Sequence, residues 1–183
     1  MRAACFPCAR LSNVGKTTTG ELLAEKLGYV FYDLDEEVKK YFNVTLEEFV
    51  NTGTLEERDQ KRAEVLEKIA GDRHNKVVAV TPIAYMDHIR KFLKRKNVLA
   101  IELRDTPENI FDRLVFSDEN DVICHDDDYK NAHRDYYLRD IREDIRYYGT
   151  YSFRSIRNKF DMEGLAPEAV VERLVHDYYL LPE

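Results

Sequence analysis

Residues 10–23 read "RLSNVGKTTTGELL", and the fold turns on whether this stretch can cradle phosphate. The pattern G-x-x-x-x-G-K-[ST] ends a strand, turns backbone N–H groups inward and opens a helix whose N-terminus faces the anion. From Asn13 onward the chemistry is in place. Asn13 and Val14 form the turn, and Gly15 lets the backbone come close. Lys16 can reach the outer phosphates, Thr17 can ligate Mg²⁺ and Thr18 adds a phosphate contact. Arg10 stands where the pattern has its first glycine. That position begins the turn, often at a backbone angle costly for other residues.

Working outward from the loop, apolar runs rich in β-branched and aromatic residues predict strands at 29–33 ("YVFYD"), 76–81 ("KVVAVT"), 97–103 ("NVLAIEL") and 159–162 ("KFDM"). Helical patterns lie between them. Leu22, Leu23 and Leu27 make a stripe directly after the loop. Leu138, Ile141, Ile145 and Tyr148 make another at i, i+3, i+7 and i+10. A last helix opens near Pro167, well placed in a first turn, and carries Val170, Val171, Leu174, Val175 and Tyr178. Short apolar strands alternating with helices predict an α/β fold, a central parallel sheet covered on both faces. The weak point is the strand that should precede the loop. "AACFPCARL" holds a proline and makes a poor central strand. Either that strand is short and irregular, or residues 1–10 are not the sequence the fold evolved with.

The 183 residues suit one domain, 1–183, with 44% hydrophobic and 34% charged residues. No apolar run approaches the roughly 18 residues of a membrane span, and no secretory signal is expected. A net charge of −7 argues against nucleic-acid binding, which shows a basic surplus. Three cysteines fit a reducing cytoplasm. Cys5 and Cys8 form a C-x-x-C outside the strand–helix context of a redox motif, and Cys124 with His125 lacks zinc-ligand spacing. The five histidines show no metal spacing.

A second constellation follows the loop at the distance of one helix and one strand. Asp33 and Asp35 close the predicted strand at 29–33. One carboxylate can orient Mg²⁺, and the other can hold or deprotonate an attacking hydroxyl. The same two residues also read as an N-cap and a first-turn acid before "EEVKKYF".

From Leu11 onward the chain resembles the shikimate kinases, small P-loop kinases of the nucleoside-monophosphate-kinase-like class. Three blocks carry the resemblance: "NVGKTTTGELLAEKLGYVFYDLDEEV", "TLEEFVNTGTLEERDQKRAEVL" and "NVLAIELRDTPENIFDRL". It implies a three-layer αβα sandwich, ATP and Mg²⁺ as cofactors, and a small hydroxylated substrate. Asp33 would take the metal side with Thr17, and Asp35 the substrate side. Arg58 falls where the family pairs an arginine with the substrate carboxylate, Arg62 being its rival one turn on. Arg113 matches an arginine near the nucleotide. Arg139, Arg142 and Arg146 recur along one helix, where Arg146 would hold substrate. A lid-like segment is expected at about 117–130, and a monomer or weak dimer.

The departures are specific. Thr54, Glu57 and Lys61 stand where the family has Glu, Phe and Glu. Thr81, Pro82 and Ile83 replace three glycines after the third strand, and proline removes an N–H. The Arg-Pro-Leu-Leu lid pattern is absent, and the acidic "VFSDENDVICHDDDYKNAH" stands in its place. Two readings follow. One is an ATP-dependent phosphotransferase acting on shikimate or a related hydroxy acid or polyol. The other is a non-catalytic relative that binds nucleotide or a partner in a regulatory role.

Overall fold

A five-stranded parallel sheet organises the chain, and its strands are the apolar runs of the sequence. The computed structural model describes residues 3–7, 14–117, 123–124 and 126–180. The strands are β1 (Ala3–Pro7), β2 (Val30–Asp33), β3 (Lys76–Val80), β4 (Val98–Arg104) and, near the end of the chain, β7 (Asn158–Asp161), in the order β2-β3-β1-β4-β7. A two-stranded antiparallel pair, β5 (Phe116–Ser117) and β6 (Ile123–Cys124), stands apart.

β3 shows why the sheet is the middle of three layers. All five of its residues are buried, and alternate side chains enter different cores. Val77 joins the cluster that contains Leu23, Ile101, Phe160 and Leu174. Val78 and Val80 join Leu34, Val38, Leu66 and Ile89 on the other face. A strand covered on both faces needs apolar residues at every position, hence the unbroken run. Each such side chain contributes roughly 1.5–3 kcal/mol by leaving water.

The first face carries α1 (Lys16–Leu27) and α9 (Pro167–Asp177). Beside them pack α6 (Pro107–Asp112) and α8 (Arg134–Tyr151). The second face carries α2 (Leu34–Phe42), α3 (Leu46–Asn51), α4 (Leu55–Gly71) and the four-residue α5 (Arg90–Leu93). α7 (Asp127–Ala132) follows the β5–β6 pair. Pro167 occupies the first turn of α9, whose Val170, Val171, Leu174 and Val175 are buried. Of the stripe on α8, Leu138, Ile141 and Tyr148 are buried, but Ile145 is exposed. The inward arc of that helix is therefore narrower than its periodicity suggests.

The strand judged poor from its sequence is the centre of the sheet. β1 pairs with β3 along Ala3–Pro7, but with β4 only from Ala3 to Cys5. Pro7 thus falls at the strand's end, beyond the β4 ladder, where a missing N–H is tolerated. A five-residue strand forms there all the same.

β1 has β3 and then β2 on one side, and β4 and β7 on the other. The connections leave β1 and β3 in opposite directions, opening a crevice at the carboxyl ends of these strands. The start of α1 and the residues that end or follow β2 and β3 meet there.

Candidate active site

Gly15 sets the loop's geometry. Its φ is +100°, a backbone angle that L side chains rarely adopt. An added Cβ would have ordinary room, with Met162 Cε at 3.5 Å, so conformation rather than space demands glycine. Gly15 also begins α1 without any side-chain cap. Thr19 N–H donates to Gly15 O, the first bond of the helix ladder, and the N–H groups ahead of it lack an intrahelical carbonyl. An uncapped helix start with the positive end of its dipole outward suits a phosphate. Val14 and Lys16 are buried behind this turn, whereas Thr17 and Thr18 face outward. Asn13, Arg10 and Cys8 lie outside the described residues.

Asp33 caps a helix with one oxygen and keeps the other for the phosphate loop. Its Oδ1 accepts from the N–H groups of Asp35 and Glu36, capping α2. Its Oδ2 accepts from the Thr17 hydroxyl at 2.7 Å. Two hard oxygens held together at a helix start fit Mg²⁺, which takes few protein ligands and keeps water. Among the described residues no cluster of three or more His, Cys, Asp or Glu offers an all-protein metal cage.

Asp35 lies one turn further in. Its side chain retains 27% of its surface, but Oδ1 is shut off from water and has no hydrogen-bond partner. Loss of hydration is the largest influence on this carboxyl and raises its pKa. The nearby charges of Arg62 and Lys16 and a hydrogen bond from Thr81 pull the other way, and Asp33 adds to the rise. A carboxylate of raised basicity beside a phosphate loop has the character of a general base.

The arginine facing Asp35 is Arg62. Its Nε stands 3.7 Å from Asp35 Oδ1, its guanidinium lies 5.1 Å from the Phe49 ring centre, and it is buried. Arg58 turns away, donating to Gly53 O at 2.9 Å, and the structure does not bring it to Asp35. The cause is visible at the start of α4. Thr54 and Glu57 form a reciprocal capping box worth about 1 kcal/mol. Two of the departures from the family pattern are therefore a helix cap.

Asp59 is the buried neighbour of this site that sequence reading missed. Its side chain is fully buried. Oδ1 accepts from Arg62 at 3.1 Å, and Oδ2 accepts from the N–H groups of Ala84 at 2.8 Å and Tyr85 at 3.0 Å. It thus joins Arg62 to the loop after β3, where Thr81, Pro82 and Ile83 stand in place of glycines. The available signal was the i,i+3 spacing of Asp59 and Arg62 inside an otherwise solvated-looking helix.

Two further candidates sit elsewhere. Arg113 donates to Asp105 at the end of β4, and its Nε is buried without a partner. Burial alone would raise the Asp105 carboxyl, but hydrogen bonds from Asn109, Arg113 and the Thr106 N–H hold it below its ordinary value. Beside this network a cavity of about 240 Å³ runs from Val14 past Leu103 and Asp105 to Ile145 and Asp161. Arg146 is exposed on α8. Arg142 pairs with Glu108, and Arg139 lies over Tyr136. The helix stripe thus divides among local partners.

The family model for shikimate kinase matches residues 12–177. The chain belongs to the shikimate kinase family. A shikimate kinase of Caldicellulosiruptor saccharolyticus is 27% identical over 161 residues, covering 88% of this chain and 87% of that protein. Among solved structures, the shikimate kinase of Bacteroides thetaiotaomicron superposes with a TM-score of 0.77 at 19% identity, covering 97% of this chain and 98% of that one. The Acinetobacter baumannii shikimate kinase, solved in complex with shikimate, superposes with a TM-score of 0.72 at 20% identity, covering 98% and 93%. Family and fold agree with the sheet order and make this chain a small-molecule kinase. No helix among the described residues is long and apolar enough to cross a membrane.

Proposed function

We propose that this chain transfers the γ-phosphoryl group of ATP to the 3-hydroxyl of shikimate, giving shikimate 3-phosphate and ADP. The observation that carries the reading is the Thr17–Asp33 contact at the start of α1, directly beside the Asp35–Arg62 pair. Together they supply a phosphate end and an acceptor end to one crevice. Lys16 and the uncapped start of α1, with Asn13, Val14, Gly15, Thr17 and Thr18, hold the phosphates. Thr17 and Asp33 would hold Mg²⁺, which would offset charge on the phosphate oxygens. Asp35 takes the proton of the attacking hydroxyl as the new O–P bond forms and the bond to the ADP oxygen breaks. Arg62 takes the acceptor's carboxylate, a role for which a planar fork is suited. Arg113 borders the nucleotide through Asp105.

The enzyme is read as one cytoplasmic domain, a monomer or weak dimer with no nucleic-acid or membrane partner. The segment at about 117–130, of which 118–122 and 125 lie outside the described residues, is assigned the role of lid. Mg·ATP turnover with shikimate, with Lys16→Ala as the blank, tests this. Turnover lost in the blank supports the kinase. ATP binding without turnover directs the search to another hydroxy acid or a polyol. Neither binding nor turnover returns the non-catalytic reading.

A further inference from the structure

β4 is an interior strand, between β1 and β7, and an interior strand of a covered parallel sheet is expected to be buried throughout. Its second half obeys: Ile101, Glu102 and Leu103 are buried. Its first half does not, for Val98, Leu99 and Ala100 are only half-buried. Two features account for this. β7 pairs with β4 only from Ile101 onward. The helix that should cover the strand's start, α5, is four residues long.

A cavity of about 350 Å³ opens over this uncovered half-strand, a volume at the lower end of the roughly 300–1,000 Å³ of small-molecule pockets. Leu93, Val98, Ala100 and Ile156 give it apolar walls. Arg90, Lys94 and Arg157 line it as well, and no acidic residue does. Three cations without an acid run against the character of a chain whose acids outnumber its Lys and Arg by 35 to 28. Arg90 is held by Asp87 at 2.6 Å. Lys94 and Arg157 have no acidic partner among the described residues, so their charges are available to a ligand.

The cavity lies at the amino ends of β4 and β7, whereas Gly15, Asp33 and Thr81 follow the carboxyl ends of β1, β2 and β3. It is therefore neither the phosphate site nor the acceptor site. We propose that it binds a small organic anion. A flat apolar ring rests on Val98 and Ala100, and the ring's acid group lies between Lys94 and Arg157, the guanidinium fork giving a carboxylate or phosphate two parallel bonds. Met86, also in its wall, directly follows Ala84 and Tyr85, which Asp59 ties to Arg62. An occupant thus touches the segment that shapes the acceptor loop.

The probe is 1-anilinonaphthalene-8-sulfonate, apolar rings carrying one acid group, titrated by fluorescence against the full chain with and without saturating Mg·ATP. Saturable binding that Mg·ATP does not displace is expected, weakened at least tenfold in the Lys94→Glu/Arg157→Glu double variant. Both positions are exposed, and an unchanged unfolding midpoint verifies the fold. Ala100→Leu, which fills the cavity without altering charge, is expected to give a similar loss. Competition by benzoate against phenyl phosphate tells a carboxylate ligand from a phosphate. Absence of saturable binding, displacement by Mg·ATP, or equal affinity in the double variant would each overturn the proposal. Probe binding needs no turnover, so the test stands whether or not shikimate is the acceptor.

Discussion

The Nε of Arg62 stands 3.7 Å from Oδ1 of Asp35, and neither buried atom has a hydrogen-bond partner. Two opposite charges so close without a bond leave hydrogen-bonding capacity that a ligand can use. On the proposed reading, an acceptor carrying both a carboxylate and a hydroxyl would meet it, the first group on Arg62 and the second on Asp35. Arg62→Lys keeps the charge and loses the fork. It is expected to raise KM for shikimate about tenfold or more, a loss of about 1.4 kcal/mol or more in binding, with KM for ATP little changed. Arg58→Lys should have the smaller effect of the two. Steady-state kinetics with each substrate varied in turn decides it, and the reverse ranking would return the carboxylate to Arg58.

Asp35 should limit activity on the acid side. Its pKa is raised chiefly by lost hydration, and a base works only when ionised. The acid limb of kcat/KM is therefore expected to have its midpoint above the ordinary carboxylate value. The same shift has a sign for stability. A raised folded pKa means that ionisation opposes folding, so the contribution of Asp35 is favourable at low pH and lost as pH rises through the folded value. At neutral pH, Asp35→Asn should lower kcat about 10²–10⁴-fold while raising the unfolding midpoint. A falling midpoint would show that the pairing with Arg62 outweighs desolvation.

The phosphate end separates into charge and metal. Lys16→Ala removes the buried cation at the start of α1 and should abolish turnover. Thr17→Ala leaves Asp33 without its hydroxyl partner and should raise the Mg²⁺ concentration needed for half-maximal rate. A chelator should stop the wild-type reaction, and added Mg²⁺ should restore it. Mg²⁺ titrations of rate, at fixed ATP, separate the two variants.

Gly15→Ala tests conformation without crowding. At φ +100° a Cβ costs about 1–2 kcal/mol, which lowers Tm by about 2–8 °C in a chain of this size. Relaxation of the turn to relieve that strain would also move the N–H groups at the start of α1. Calorimetric ATP affinity should therefore fall together with Tm. Loss of stability with unaltered ATP affinity would show that the turn holds its shape regardless.

Much of this was legible where one local force dominates. The strands at 30–33, 76–80, 98–104 and 158–161 stand out because both faces are covered, so their apolar runs are unbroken. The loop and the carboxylate pair are legible because phosphate chemistry restricts residue type and spacing. β1 was obscured by Pro7, since sequence alone does not reveal that the β4 ladder stops at Cys5. Arg58 was favoured over Arg62 by its place in the family pattern, whereas the surroundings of each rest on tertiary contacts. Only the folded chain shows Gly53 O claiming one guanidinium and Asp59 the other. Ile145 keeps helical period yet faces water, because periodicity gives the phase of a stripe but not its width.

Asp59 gives the most discriminating variant. One of its oxygens holds Arg62, and the other holds two main-chain N–H groups of the loop after β3. Those N–H groups, spent on Asp59, are withheld from the acceptor. Recognition at this side of the crevice then falls to side chains: Arg62, Thr81 and Asp35. Asp59→Asn can keep its oxygen on the Ala84 and Tyr85 N–H groups but turns an NH₂ toward the guanidinium. Arg62 loses its counter-charge and swings or pairs more tightly with Asp35. KM for the acceptor should rise about tenfold, and the acid limb of the rate profile should move to lower pH as Arg62 closes on Asp35. A purely structural Asp59 would lower stability and active fraction while leaving KM and the pH profile in place. Kinetics across pH, alongside thermal unfolding of the same protein, separate a positioning role from a structural one.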